Sequence, residues 1–344
     1  MQLFKKKYFA FLAVLIGIFT LFNIQASANG VNGIAMQPIY PSNQITKNGI
    51  INPQVKPGDT QELSFNIINL SNESIKASIT PNTAVTSDTP SIDYSKSKYK
   101  YDNSLKYSFK DIFHEGNITK TLAPHKVTKI SFTAHIPDKK FSGLLMGAFY
   151  ISTNKTYMNN SSATPINNKY TYAMPVILKE DHSKAVPKLT LGDVYTSTQN
   201  NTPQVNSRIY NKHPAIIDNM TIETFITDAN GKRIYHMYHN NNSVAPNSNF
   251  TYRSLISDKN ILNPGKYHIK IIAKSDEGKW ILQKDFSVGV AQYLSTILQD
   301  NSWLWWLILL LILLIILIII YIIYKKIKSK KENEKVKNTG KHFK

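Results

Sequence analysis

The chain reads as a mainly β protein, with two tandem immunoglobulin-like β-sandwich domains followed by one C-terminal transmembrane helix. Three observations predict this. Between residues 29 and 290, apolar positions recur at period two and helical spacing is nearly absent. A polar stretch ending in proline, at 180–187, divides the strand-rich region into two blocks. Near the C-terminus, residues 303–324 (WLWWLILLLILLIILIIIYIIY) carry no charge.

The N-terminus has a basic cluster (Lys5, Lys6, Lys7), an apolar run to Phe22 and the small-x-small triplet Ala26-Ser27-Ala28. This pattern predicts a secretory signal at 1–28, cleaved between Ala28 and Asn29. The first domain is expected at 29–182. Leu63, Phe65 and Ile67 alternate, residues 71–74 turn the chain, and Ile75, Ala77 and Ile79 alternate again, which reads as a hairpin with one buried face. Ile130, Phe132, Ala134 and Ile136 repeat the pattern, and the runs at 144–151 and 170–178 suit central strands. Three turns, around Pro57, Pro124 and Pro246, each feed an extended segment.

After a linker at 183–187, the second domain is expected at 188–290. Seven short strands fall at 188–196, 204–210, 220–227, 233–238, 250–255, 266–274 and 280–288, with hairpin turns at Asn230-Gly231 and Glu277-Gly278. Tyr267 is placed to close the corner before a late strand, with Trp280, Leu282, Phe286 and Val288 facing the core on the last. A juxtamembrane segment at 291–302 then leads to the span at 303–324. At about 1.5 Å per residue, 22 residues give roughly 33 Å, enough for a hydrocarbon core of about 30 Å. Trp303, Trp305 and Trp306 at one end and Tyr321 and Tyr324 at the other make aromatic belts, and Lys325 and Lys326 open a basic tail at 325–344. The positive-inside rule puts that tail in the cytoplasm and the β-domains outside. No Leu-Pro-x-Thr-Gly signal precedes the span, so a permanent single-pass anchor is expected.

Composition narrows the function. The absence of Cys means that stability must come from packed cores. The formal charge of +19 divides into +3 at the N-terminal cluster, +7 in the tail and +9 between them. That moderate bias suits an anionic envelope. Only three of the 41 basic residues are Arg (208, 233 and 253), which argues against a nucleic-acid partner. No Cys nucleophile, Gly-x-Ser-x-Gly elbow or phosphate loop is present. His236 and His239 point to opposite faces of a strand, and Asp228-Ala229-Asn230-Gly231 lacks the later ligands of a calcium loop. No enzyme activity, cofactor or metal is expected.

One stretch stands out, SIDYSKSKYKYDNSLKYSFKDIF at 91–113. From Ser104 onward the spacing of Leu105, Tyr107, Phe109, Ile112 and Phe113 suits a short helix plugging the sandwich. Before it, Tyr94, Tyr99, Lys100 and Tyr101 have no burial pattern and are expected to be exposed, where aromatic rings and ammonium groups suit sugar and acidic wall groups. Asp93 and Asp102 are the candidates for a carboxylate pair, but nothing in the sequence brings them together.

The order of features resembles the WxL-interacting protein family of Gram-positive cell surfaces. The resemblance rests on IAMQPIYPSNQ (34–44), VKPGDTQELSFNIINLSNESIKASITPNTAVTS (55–87), SLKYSFKDIF (104–113), LAPHKVTKISFTAHIPDKKFSGLLMGAFY (122–150), APNSNFTY (245–252), LNPGKYHIKIIAKSDEGKW (262–280) and the WLWW-initiated helix. Leu-Met-Gly-Ala at 145–148 departs from a Gly-Gly pair frequent in the family. The resemblance implies a non-enzymatic, membrane-tethered partner of secreted WxL-domain proteins. Its first domain would bind peptidoglycan and its second would bind host surface or extracellular-matrix proteins. The alternative role that it implies is a host-directed adhesin acting through the second domain.

Overall fold

The computed structural model of the chain describes residues 33–154, 157–159, 166–168, 170–181, 185–199, 202–256, 262–294 and 303–339. The expected signal at 1–28 and its cleavage point at Ala28 and Asn29 lie outside the described residues, as do 295–302.

The first sandwich has a three-stranded sheet of β1 (Ile34–Ile39), β2 (Thr60–Asn69) and β7 (Val127–His135). It packs on a four-stranded sheet in the order β11 (Thr171–Leu178), β8 (Leu145–Thr153), β3 (Ile75–Thr83) and β6 (Ile118–Leu122). All of these pairings are antiparallel. The period-two residues do what their spacing requires. Leu63, Phe65 and Ile67 meet Ile75, Ala77 and Ile79 across the core, and all six are fully buried. Two small pairs are added, β4 (Val85–Thr86) with β5 (Ile92–Asp93), and β9 (Tyr157–Asn159) with β10 (Ile166–Asn168).

Residues 107–113 pack as the spacing implies, but the helix is one 3₁₀ turn, Phe109–Ile112, and Leu105 lies outside the plug, half-buried in a cleft because the chain ahead of the turn runs along the surface. Phe109, Ile112 and Phe113 are buried, and Tyr107 packs against the same core. Phe149 sits at the centre of the aromatic cluster, with its ring 4.5 Å from Phe132, 5.3 Å from Phe65 and 5.4 Å from Phe113. Each such pair adds about 0.5–1.5 kcal/mol beyond area burial. Gly147 makes room for this plug, because a Cβ there would lie 2.2 Å from the Phe109 ring.

The second sandwich pairs β12 (Leu189–Gln199), β13 (Thr202–Asn211) and β16 (Ser248–Leu255) against β15 (Arg233–Val244), β14 (Ile217–Asp228), β17 (Gly265–Ser275) and β18 (Gly278–Val288). Its seven strands match the sequence reading in number and order. Ile222, Ile226, Phe250, Ile269 and Ile271 fill the core, and Leu282, Phe286 and Val288 face it from the last strand. The Tyr267 hydroxyl donates to the Asn263 carbonyl at 2.7 Å, closing the corner. Asp228 caps the turn it opens, accepting from the main-chain N–H of Asn230 and of Lys232.

The three proline turns share one geometry. The residue after each proline has positive φ: Gly58 (76°), His125 (53°) and Asn247 (48°). Proline presets the first central residue and the second enters the left-handed region, as in type II turns.

A helix, α1 (Trp303–Thr339), runs well past the charge-free span into the basic tail. Its stretch Trp306–Lys328 is long and apolar enough to cross a membrane. Trp303, Trp306, Tyr321, Tyr324, Lys325 and Lys326 are exposed, while the side chain of Trp305 lies outside the described ones.

Candidate functional site

The two sandwiches meet at a joint built from an arm of the first, residues 84–108, that leaves the end of β3 and returns at the 3₁₀ turn. The β4–β5 hairpin forms because Ser87 and Ser91 close its loop, through a main-chain bond of 3.0 Å and hydroxyls 2.9 Å apart. The loop tip, Asp88, Thr89 and Pro90, enters the side of the second sandwich between β15 and β16. The Ser243 N–H donates to the Pro90 carbonyl at 2.9 Å, and the Thr251 N–H donates to the Asp88 carboxylate at 3.1 Å. Arg253 pairs with the other oxygen of Asp88 at 2.5 Å. Deeper in, the Thr86 and Ser248 hydroxyls lie 2.6 Å apart, and the Ala245 N–H donates to Thr86 Oγ1 at 3.0 Å.

A second link runs through Asp102. The Asn249 amide donates to its carboxylate at 2.6 Å, while Arg208 donates to the Asn249 carbonyl oxygen and to Thr251 Oγ1. Arg208 thus fixes which end of Asn249 faces Asp102. Burial opposes the charge on Asp102, but the Ser104 N–H and the Asn249 amide outweigh it and hold the carboxyl below its usual range. On the far side of the joint, the Asn247 amide bridges the carbonyls of Ser104 and Lys212. Leu144 donates its N–H to the Pro214 carbonyl at 2.8 Å. Gly143 permits that approach, since it has φ 73° and a Cβ there would lie 2.3 Å from the same carbonyl oxygen.

The predicted aromatic residues lie on this arm. Tyr94 departs from the exposed position expected of it. It packs in a small apolar cluster between the sandwiches with Ala84, Met146, Ala245 and Ile216, and burial pushes its hydroxyl pKa up. The partners that cover it come from distant segments, which local spacing does not reveal. Tyr99 and Tyr101 are half-buried rather than exposed, because they pack on each other, with ring centroids 5.7 Å apart, and Lys110 lies over the Tyr101 ring at 5.6 Å. Lys100 beside them is exposed. Burial raises the Tyr99 hydroxyl pKa, against the opposing charge of Arg208 from the second sandwich. The Tyr101 hydroxyl is buried with no hydrogen-bond partner among the described residues. Asp93 and Asp102 are taken up separately: Asp93 accepts from the Ser95 N–H and faces Lys96, whereas Asp102 serves the joint.

Two clefts flank the joint. One, of about 400 Å³, is lined by Lys106, Lys140, Lys212, Tyr107, Phe141 and Asn247. Of its cations, Lys140 pairs with Asp181 at 2.6 Å and Lys212 lies over the Tyr210 ring at 5.2 Å. The other, of about 440 Å³, runs between β15 and β16 and is lined by Asp88, Pro90, Tyr235, Met237, His239 and Leu255 among others. Burial pushes the Tyr235 hydroxyl up to about 12. His236 and His239 diverge as their spacing predicts. His236 pairs with Glu223 and stacks on Phe225, while His239 meets the Tyr252 ring edge-on. Among the described residues, no group of three His, Cys, Asp or Glu is placed to hold a metal.

Sequence reasoning missed Thr86, Asp88, Asn249 and Arg253. Their one signal is the scarcity of arginine, since two of the chain's three, Arg208 and Arg253, anchor the joint.

Residues 35–153 match the family model described as WxL Interacting Protein, peptidoglycan binding domain. Residues 161–295 match the one described as WxL Interacting Protein, host binding domain. The second match begins ahead of β11, which the ladder with β8 ties to the first sandwich. No curated protein matches the chain. Solved structures that it resembles include the CsuC–CsuE chaperone–tip adhesion subunit complex of Acinetobacter baumannii (10% identity over 64% of this chain and 89% of that one, TM-score 0.30). Others are the Salmonella enterica SafA pilin with the SafB chaperone (12%, 76% and 99%, TM-score 0.29) and the E. coli chaperone DraB (12%, 75% and 96%, TM-score 0.26). Overlap at this level is too slight to carry a functional comparison.

Proposed function

Because the chain belongs to the WxL-interacting protein family, we propose that it is a non-enzymatic surface adaptor that binds secreted WxL proteins and peptidoglycan and tethers them at a Gram-positive cell membrane. The observation that carries this reading is the matched pair of binding domains, one described for peptidoglycan and one for host, on a chain that ends in an apolar helix long enough to cross a membrane. The helix serves as a single-pass anchor, with the sandwiches in the wall and the lysine tail in the cytoplasm. The domain division falls at 183–187, between β11 and β12.

Wall glycan is held on the arm, where the half-buried Tyr99 and Tyr101 keep part of their rings at the surface and Lys100 offers an exposed ammonium group. Tyr94 contributes by shaping the arm. The test is a pulldown with the purified protein against insoluble peptidoglycan and against secreted WxL proteins. Recovery of both is expected, and recovery of neither sinks the reading. Tyr99→Ala with Lys100→Ala should reduce sedimentation with peptidoglycan while leaving the fold intact by circular dichroism.

A second reading, an adhesin for host matrix or surface proteins, is favoured by the host-binding match at 161–295. Cells expressing a chain without residues 188–290 should then attach less to matrix proteins. Unchanged attachment counts against it.

A further inference from the structure

The two sheets of the second sandwich are unequal. One ends at β16, whereas the sheet facing it runs one strand further, to β15. On β15, Tyr235, Met237 and His239 stand opposite Ile226, Thr224 and Ile222, which are all buried. Cross-strand partners share a face, so these three side chains point toward the inside of the sandwich. Met237 is nonetheless 38% exposed, because no strand among the described residues lies beside β16 to cover it.

The main chain of β16 is open on the same side. The Ile256 N–H goes to Pro203 at 2.8 Å, toward β13, while the Thr251 N–H goes outward to Asp88. Main-chain groups alternate along a strand, so Arg253 and Leu255 turn theirs to the open edge. Leu255 is 55% exposed there. One end of the seam already holds a peptide: Asp88, Thr89 and Pro90 of the first sandwich lie in it, bonded to both β15 and β16. Past Pro90 the seam continues as the 440 Å³ groove, and its one close charge pair, Asp88 with Arg253, is internally neutralised.

We propose that this groove takes an extended, apolar-bearing peptide segment of a partner protein, which adds a strand to the free edge of β16 and lays its side chains over Tyr235, Met237 and His239. Strand addition gives affinity through the main chain and specificity through alternate side chains. The chain's own loop already satisfies one outward N–H of β16, through the Asp88 carboxylate, and one N–H of β15, through the Pro90 carbonyl, so the site continues an interface already made. A glycan would find ring faces at Tyr235 and His239 but would leave the alternating donors and acceptors of β16 unmatched. The proposal deepens the adaptor reading by giving the protein partner a surface.

The full chain in nanodiscs is selected against phage-displayed random linear dodecapeptides, and an enriched peptide is synthesised. Binding should weaken at least about tenfold on Met237→Glu and on N-methylation of alternate peptide residues, with amide exchange slowed across 251–256. Leu255→Pro is the second variant, since it removes an outward N–H while leaving the ladder to β13. No enriched peptide, protection elsewhere, indifference to N-methylation, or displacement by chitohexaose overturns the proposal. Loss of WxL-protein recovery with peptide binding intact sinks the adaptor reading alone, and the reverse sinks the groove alone.

Discussion

Single residues decide how the joint and the core close. Gly147 is one, because an added methyl would meet both the Phe109 ring and the Asn82 carbonyl. Gly147→Ala should therefore cost about 1–3 kcal/mol in thermal or denaturant unfolding, as overpacked cores do. Asp102 sets a pH dependence. Its folded-state pKa is depressed, so its contribution is present above the unfolded value of about 4 and fades as pH falls through the native value. Asp102→Asn should flatten the dependence of melting temperature on pH below about 5, and an unchanged slope would refute its role. Tyr235 acts at the alkaline end, where its raised pKa keeps it neutral while an unfolded tyrosine ionises near pH 10. The stability it contributes is full below that pH and lost as pH rises toward about 12. Ultraviolet titration should show one late-ionising tyrosine fewer in Tyr235→Phe.

At the scale of elements, the strands were legible and the joint was not. Alternation at 63–67, 75–79 and 130–136 marks buried faces, because a half-buried strand must repeat at period two. The tyrosine corner and the capped turn at Asp228 were legible for a related reason, as their chemistry is local. The β4–β5 loop has no such periodicity. Its residues are small and polar, and their partners lie 162 and 163 positions away, so nothing nearby in the chain records that they are paired. Half of the aromatic stretch was readable, the part from Tyr107 that fills the first core. Tyr94 was misplaced because Ala245 and Ile216, which cover it, belong to the other domain. Asp88→Ala removes the acceptor for Thr251 and leaves Arg253 unpaired. Calorimetry should then resolve two transitions where the parent chain is expected to give overlapping ones, with the change confined to the joint.

For the whole molecule, the polar links and the apolar cluster make the two sandwiches one body. A ligand on the arm and a peptide in the seam would be only a few residues apart in the structure, since Asp88 and Pro90 line the seam and Tyr99 shares their arm. Gly143→Ala should loosen this arrangement by pushing against Pro214, which small-angle scattering would register as a larger radius of gyration with both sandwiches still folded. Removing residues 303–344 should release the protein into the medium in fractionated cells, while retention in the membrane fraction would contradict the anchor.

The joint also has a mechanical meaning. If α1 is fixed in a bilayer and the outer sandwich is gripped by something beyond it, tension passes through the contacts of the β4–β5 loop before it reaches either core. Those contacts are a few hydrogen bonds and a part-exposed ion pair, whereas each core is held by whole buried sheet faces. They should yield first. The two sandwiches would then part while each stays folded. A sudden tug would be absorbed as a reversible parting of two intact bodies, which snap together again when the load is released.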